Sequence, residues 1–203
     1  MPASPDQNDD SKLVVCKLGG SLLSLPGLAE RIESVLEEQG RSRSLLVVGG
    51  GAAADIVRRW SRQFCLSEET AHQLALEAMA FNAALVVRLL PQSVLVFDDS
   101  EIEPAWREGL IPIVHPPRVL ADLEARSNLP LPHTWDAASD TIAGWIAAMM
   151  DAQKLVLMKS TDRPGRFWRE AANDGAVDAH FPVVAQHVRS IEWINLRAGS
   201  GDR

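Results

Sequence analysis

Four short segments of this 203-residue chain gather the residue types that handle phosphate. The first is Lys17-Leu18-Gly19-Gly20-Ser21, at the end of an aliphatic run. Adjacent glycines let backbone amides approach an anion with no Cβ in the way, and the lysine adds a mobile positive charge beside them. A tight strand-to-helix turn is the plainer alternative. The second segment, Val47-Val48-Gly49-Gly50-Gly51, runs into Ala52-Ala53-Ala54, a strand passing into a helix whose N-terminal amides carry partial positive charge. If the two strands are neighbours, the two glycine turns make one anion-binding surface. The third pairs Asp136 with Asp140 ahead of the apolar stretch 141–148, a spacing that predicts both carboxylates on one face of a helical turn. Carboxylates at the end of a buried helix need cationic partners, and Lys17 is the first candidate. N-capping by Asp136 or Ser139 is the bland use of the same residues. The fourth, Lys159-Ser160-Thr161-Asp162, ends another aliphatic run with a cation, two hydroxyls and a carboxylate.

The second segment also fits a loosened Gly-x-Gly-x-x-Ala dinucleotide fingerprint. That fingerprint needs an acid closing a second strand about 20 residues on. Glu68 and Glu69 stand near that distance but open a helical pattern, which argues against a nicotinamide or flavin site.

These segments must be held by elements that the hydropathy pattern supplies. Aliphatic runs at 13–18, 45–48, 94–97, 111–114, 155–158 and 191–196 lack strict alternation, as strands covered on both faces do. Helical patterns at 27–39, 52–63, 67–90, 117–125 and 137–152 lie between them. In the longest, Leu74, Ala78, Phe81, Leu85 and Leu89 fall on one stripe, with Ser67 suited to the N-cap and Glu68 and Glu69 to the first turn. The alternation predicts an α/β fold, a three-layer α/β/α sandwich on a mainly parallel sheet. One domain over 12–198, a loose tail at 1–11 and another at 199–203 are expected. The prolines at 112, 116, 117, 130 and 132 are expected to build a crevice wall.

A hydrophobic fraction of 46% supports a real core, and a net charge of -7 argues against a general affinity for nucleic acid or anionic membrane. Two cysteines without metal-ligand spacing, and no apolar run long enough to span a bilayer, point to a soluble cytoplasmic protein. His115, His133 and His187 are scattered, so no metal site is expected. The tryptophans at 60, 106, 145, 168 and 193 read as core or interface residues.

Taken in order along the chain, the Lys-x-Gly-Gly-Ser, Gly-Gly-Gly, Ser-Asp-x-x-Ala and Thr-Asp segments resemble the amino-acid kinase superfamily, whose fold is carbamate-kinase-like. The compact length, Pro132-His133-Thr134-Trp135-Asp136 ahead of Ser139-Asp140, and the Lys159-Ser160 pair are most similar to the small kinases of methanofuran biosynthesis. Those enzymes convert an aminomethyl-furan-methyl phosphate to the diphosphate. The resemblance implies ATP-dependent phosphoryl transfer to a small organic acceptor, with Mg2+ held mainly by the nucleotide phosphates. It implies that Lys17 bridges the transferring oxygens, that Asp140 orients the lysine and that Lys159 joins them as a catalytic group. Gly19, Gly20, Ser21, Thr161 and Asp162 would face the nucleotide, and Gly49, Gly50, Gly51, Arg58 and Asp136 the acceptor. A homodimer or higher homo-oligomer is implied as well.

Two departures from the pattern stand out. No lysine follows Lys159, and Asp174 to His180 occupies the place of a Gly-Gly-Met-x-x-Lys type segment. Lys159, Arg163 or Arg166 would have to substitute, or the protein is a weak or inactive binder of nucleotide or phospholigand. The Thr-Asp-x-Asp-Gly nucleotide loop is replaced by Thr161-Asp162-Arg163-Pro164-Gly165. Two glycine turns with Arg58 and Arg59 offer more anion contacts than one ATP chain requires, so the acceptor is expected to carry its own phosphate.

Overall fold

A computed structural model describes residues 12–198; both predicted tails lie outside the described residues. Six strands form one sheet: β1 (Val14–Leu18), β2 (Ser44–Val48), β3 (Ser93–Val96), β4 (Ile111–Val114), β5 (Lys154–Lys159) and β6 (Ile191–Asn195). Their spatial order is β3-β4-β2-β1-β5-β6, and every pairing is parallel. The helices are α1 (Leu28–Glu38), α2 (Gly51–Phe64), α3 (Glu68–Leu89), α4 (Ile102–Arg107), α5 (Pro116–Glu124), α6 (Ser139–Met149), α7 (Trp168–Asn173) and α8 (Phe181–Val184).

Alternate strand residues feed two cores, because successive side chains point to opposite sheet faces. Val15, Leu45, Val47, Leu155 and Leu157 pack with α5, α6 and α8. Cys16, Leu18, Leu46, Val156 and Met158 pack with α1 and the C-terminal half of α3. This is the expected three-layer sandwich. β1 has β2 on one side and β5 on the other, so the chain reverses its winding direction at β1. At such a switch point the loops leaving adjacent strands diverge and open a crevice at their carboxyl ends.

The sequence argues against a dinucleotide site and the chain order agrees, while two expectations about helices need correction. α2 leads directly into α3, so the second strand that a dinucleotide fingerprint requires is absent there. The large residues of the α3 stripe face outward: Phe81 is 71% exposed, Leu85 42% and Leu89 38%. The inward face of α3 carries Leu76, Met79 and Val86 among small residues such as Ala71, Ala80 and Ala83, and packs on α2 and the sheet. The short helices α4, α7 and α8 were not expected; they have six residues or fewer and too few turns for a periodic signal. The predicted cap holds: Ser67 accepts a hydrogen bond from the Thr70 amide, with Glu68 and Glu69 in the first turn.

Candidate active site

The two glycine loops meet at the switch point. Parallel pairing of β1 with β2 sets Leu18 beside Val48, and the chains leaving them touch backbone to backbone. A Cβ on Gly20 would lie 2.2 Å from the Gly51 amide nitrogen and 2.5 Å from its Cα. Gly51 has φ +46, and its own Cβ would lie 2.6 Å from the Gly20 carbonyl oxygen. Both glycines are therefore required by contact, whatever they bind. Asn82, buried on α3, ties the second loop down by donating 2.8 Å hydrogen bonds from Nδ2 to the carbonyls of Gly49 and Gly50.

The amides are not equally available. Gly19 donates to Met158 and Gly49 donates to Leu18, each at 2.9 Å, and neither residue lines the cavity described below. Their contribution is to lock the loops onto the sheet. The amides of Gly51, Ala52 and Ala53 open the first turn of α2, where a helix offers them no acceptor.

Beside the loops, at the ends of β1 and β5, three buried charges form one cluster. Lys17 Nζ lies 2.8 Å from Asp140 Oδ1, and Lys159 Nζ lies 2.7 Å from Oδ2. Lys159 also donates to the Ala176 carbonyl at 2.6 Å. Lys17 and Asp140 are each only 3% exposed. Burial opposes ionisation of Asp140, but the two ammonium groups outweigh it and hold the carboxyl below its ordinary range. Burial, reinforced by the nearby Lys17 charge, brings Lys159 down to about 8.

Asp140 is the second residue of α6, yet neither Ser139 nor Asp136 caps that helix. The N-cap is Ala138, and the cap is supplied from far along the chain: Asp178 Oδ2 accepts from the amides of Asp140 at 2.7 Å and Thr141 at 2.9 Å. Burial and then repulsion from Asp140 raise Asp178 to about 6. Asp136 precedes the helix, is exposed and does not line the cavity, so the expected shared helical face with Asp140 does not form. Its carbonyl instead receives the His180 amide.

A cavity of about 300 Å³ opens against Gly20, Ser21, Gly50, Gly51 and Ser139, with Ala54, Leu76, Met79 and Ile142 as apolar lining. Arg58 lines it, pairs with Asp55 at 3.0 Å and lies 4.9 Å above the Trp135 ring. Arg59 is exposed and outside it. None of the five prolines expected to build a wall lines the cavity, since Pro112 lies in β4 and Pro116 and Pro117 start α5; from that stretch of chain only Thr134 and Trp135 reach it.

Ser21 donates to Ser160 at 3.1 Å, joining the first loop to the segment after β5. Thr161 and Asp162 are exposed beside β6: the Trp193 indole donates to the Thr161 carbonyl and Asn195 to the Asp162 carboxylate. Arg163 stacks 3.9 Å over Trp168 and donates to the Arg166 carbonyl, so neither arginine joins the lysine cluster. Outside the site, the carboxylates of Asp98, Asp99 and Asp122 converge within 4.8 Å, and Arg126 pairs with two of them.

Asp178, Asn82 and His72 are site residues that sequence reasoning missed. The first two act through main-chain contacts to residues 32 to 38 positions away, which no local pattern encodes. His72 was detectable as a polar residue amid the apolar positions of a long helix.

The chain matches the amino acid kinase family over residues 12–163. It is 22% identical over 152 residues to the [5-(aminomethyl)furan-3-yl]methyl phosphate kinase of Methanocaldococcus jannaschii, a match covering 73% of this chain and 66% of that protein. The chain thus spans just under two thirds of that relative. The fold is that of uridylate kinase from Archaeoglobus fulgidus, with TM-score 0.64, 19% identity and 90% of each chain covered. Aspartate kinase from Synechocystis superposes with TM-score 0.59 at 17% identity, over 88% of this chain and 37% of that one. With three-quarters of its length matched, the Lys-x-Gly-Gly start, the triple glycine and the Ser-Asp helix entry in place, this chain belongs to the amino acid kinase family.

Proposed function

We propose that this protein transfers the γ-phosphoryl group of ATP to a small organic acceptor that already carries a phosphate, giving a diphosphate without a covalent enzyme intermediate. The observation that carries this reading is the buried Lys17–Asp140–Lys159 cluster set directly beside two touching glycine loops. A phosphoryl transition state spreads negative charge over several oxygens, so fixed cations and amides are the groups that lower its energy. Lys17 and Lys159 supply the cations, and Asp140 aims both by giving each ammonium one oxygen. The second ammonium answers the missing downstream lysine, which favours an active kinase over an inactive binder.

Gly20, Ser21, Thr161 and Asp162 face the nucleotide in this reading. Gly50, Gly51 and the first-turn amides of α2 hold the acceptor phosphate, with Arg58 adding positive charge at the cavity. Asp140 has both oxygens engaged by lysines, so Mg2+ would be held mainly by the nucleotide phosphates and would supply charge neutralisation there. The name of the Methanocaldococcus relative supplies the acceptor class, a furan-methyl phosphate. A cytoplasmic setting fits an ATP-using enzyme with free cysteines at 16 and 65, and among the described residues no helix is long and apolar enough to cross a membrane. Calorimetric titration tests the acceptor assignment: a furan-methyl phosphate binds at least about tenfold more tightly than its dephosphorylated alcohol. Equal affinities contradict a phosphate site in the cavity.

A second copy of this chain is the proposed partner. Six of the exposed large apolar side chains lie on α2 and α3: Ile56, Trp60, Phe64, Phe81, Leu85 and Leu89. Glu77 and Arg88 sit on the same outward stripe of α3, on either side of Phe81 and Leu85. Two α3 helices crossing antiparallel about a two-fold axis near these residues bring Glu77 of one copy near Arg88 of the other, the self-complementarity that an isologous dimer needs.

A further inference from the structure

His72 is a polar residue with an unspent hydrogen bond in the wall of the cavity. It is 4% exposed, lines the cavity, and its Nε2 has no partner. The ring is held on two sides. It stacks on His133 with centroids 5.0 Å apart and planes 9° from parallel, and His133 is in turn 2.9 Å from Glu124. The Thr134 main chain favours a ring proton on the side away from Nε2, and with that proton assigned to Nδ1, Nε2 is a lone-pair acceptor. Burial, followed by the neighbouring His133, lowers the His72 pKa below its ordinary value, so the ring is neutral at pH 7.

Its place along the cavity is set by the α2–α3 pairing. Asn82, on the same helix, clamps the glycine loop at the reacting end. His72 precedes Asn82 by ten residues, about 15 Å along the helix axis at 1.5 Å per residue. The α3 wall between these levels is apolar, with Ala75, Leu76 and Met79 facing Ala54 of α2, while Asp55 and Arg58 of α2 line the same cavity. A buried acceptor in the cavity wall discriminates strongly, because a ligand that brings no donor leaves it unpaired.

We propose that His72 selects the far end of the acceptor: its Nε2 accepts a hydrogen bond from an amine or hydroxyl group carried opposite the reacting phosphate. This rests on the phosphate-acceptor reading above and adds a second recognition element to it. The two elements act on opposite ends of one small molecule, the phosphate at the glycine loops and the donor at His72.

Three probes test it: [5-(aminomethyl)furan-3-yl]methyl phosphate and its 5-hydroxymethyl and 5-methyl analogues, each assayed for transfer from ATP. The wild-type enzyme prefers both donor-bearing compounds over the methyl analogue by about 10- to 100-fold in kcat/KM, expressed mainly in KM. His72→Phe keeps an aromatic face for His133 but removes the acceptor, and collapses that preference while turnover of the methyl compound persists. His72→Gln, which restores an acceptor, recovers part of the preference. A wild-type enzyme that uses all three compounds equally, or a preference unchanged in His72→Phe, overturns the role of His72 and leaves the phosphate-acceptor reading standing. An enzyme that phosphorylates none of the three overturns both.

Discussion

Asp140→Asn tests whether the carboxylate acts by holding two cations. In the native protein its oxygens stand 2.8 Å from Lys17 and 2.7 Å from Lys159. At an effective dielectric of about 20, a unit charge 2.7 Å away is worth ~6 kcal/mol. Structural relaxation and the dipole of the new amide recover much of that. If only a quarter persists, ~1.5 kcal/mol, the Lys159 pKa falls by about one unit. Lys159 starts near 8, depressed by burial and by Lys17, so it drops to about 7 or below in the variant. Lys159 serves as an ammonium, so activity that depends on it is present below its pKa and lost as pH rises through it. The alkaline limb of the kcat profile therefore moves from near 8 toward neutrality; at pH 8 the loss of ammonium alone lowers kcat about fivefold, and the loss of aim on both lysines brings the total to about 10²- to 10³-fold. The KM for ATP changes by no more than about threefold, since the lost interaction belongs to the transition state. The start of α6 survives because Asp178, not the Asp140 side chain, accepts its amides. Steady-state kinetics from pH 6 to 9 with ATP and Mg2+ in excess measures both effects. A variant that loses only ATP affinity, or whose alkaline limb stays near 8, refutes the cation-holding role.

Gly20→Ala places a methyl group 2.2 Å from the Gly51 nitrogen, so backbone must move; the melting temperature falls and transfer drops by about 100-fold or more, seen by calorimetry and kinetics. Near-native stability with full activity would mean that the loops do not need their close contact. Arg58→Ala raises the KM for a phosphorylated acceptor by about 3- to 30-fold and leaves kcat nearly unchanged, because Arg58 is half exposed and lies away from the lysine cluster. An unchanged KM assigns Arg58 to its Asp55 and Trp135 contacts alone. Phe81→Glu puts a charge on the apolar face of α3 and is expected to convert the proposed dimer to a monomer, as read by light scattering after size exclusion of both proteins. A dimer that persists places the interface elsewhere.

The elements most legible in the sequence were those whose signal is local. Six aliphatic runs without alternation marked a sheet covered on both faces, and all six strands appear within a residue or two of those runs. Paired glycines after the first two strands marked the loops, since the contact between Gly20 and Gly51 admits no side chain. The Lys17–Asp140 partnership followed from a single constraint, that a carboxylate at the end of a buried helix needs a cation. Tertiary assignments were less legible. The stripe through Phe81 and Leu85 has helical spacing but no record of which face turns inward, and the small residues opposite decided it. Gly19 and Gly49 share their composition with Gly20 and Gly51, but strand pairing gives their amides to Met158 and Leu18. Capping of α6 by Asp178 left no trace near Asp140, because that partner arrives from 38 residues downstream.

The most direct test is a phosphorus NMR time course of ATP, Mg2+ and [5-(aminomethyl)furan-3-yl]methyl phosphate with the native protein and with Lys17→Met. The native protein is predicted to consume the acceptor monoester and produce ADP and a new diphosphate pair in equal amounts. Lys17→Met, which removes the buried ammonium 2.8 Å from Asp140, is predicted to form the product at least about 10³-fold more slowly. Release of inorganic phosphate with the monoester untouched, or equal rates for the two proteins, would contradict lysine-assisted phosphoryl transfer to a phosphorylated acceptor.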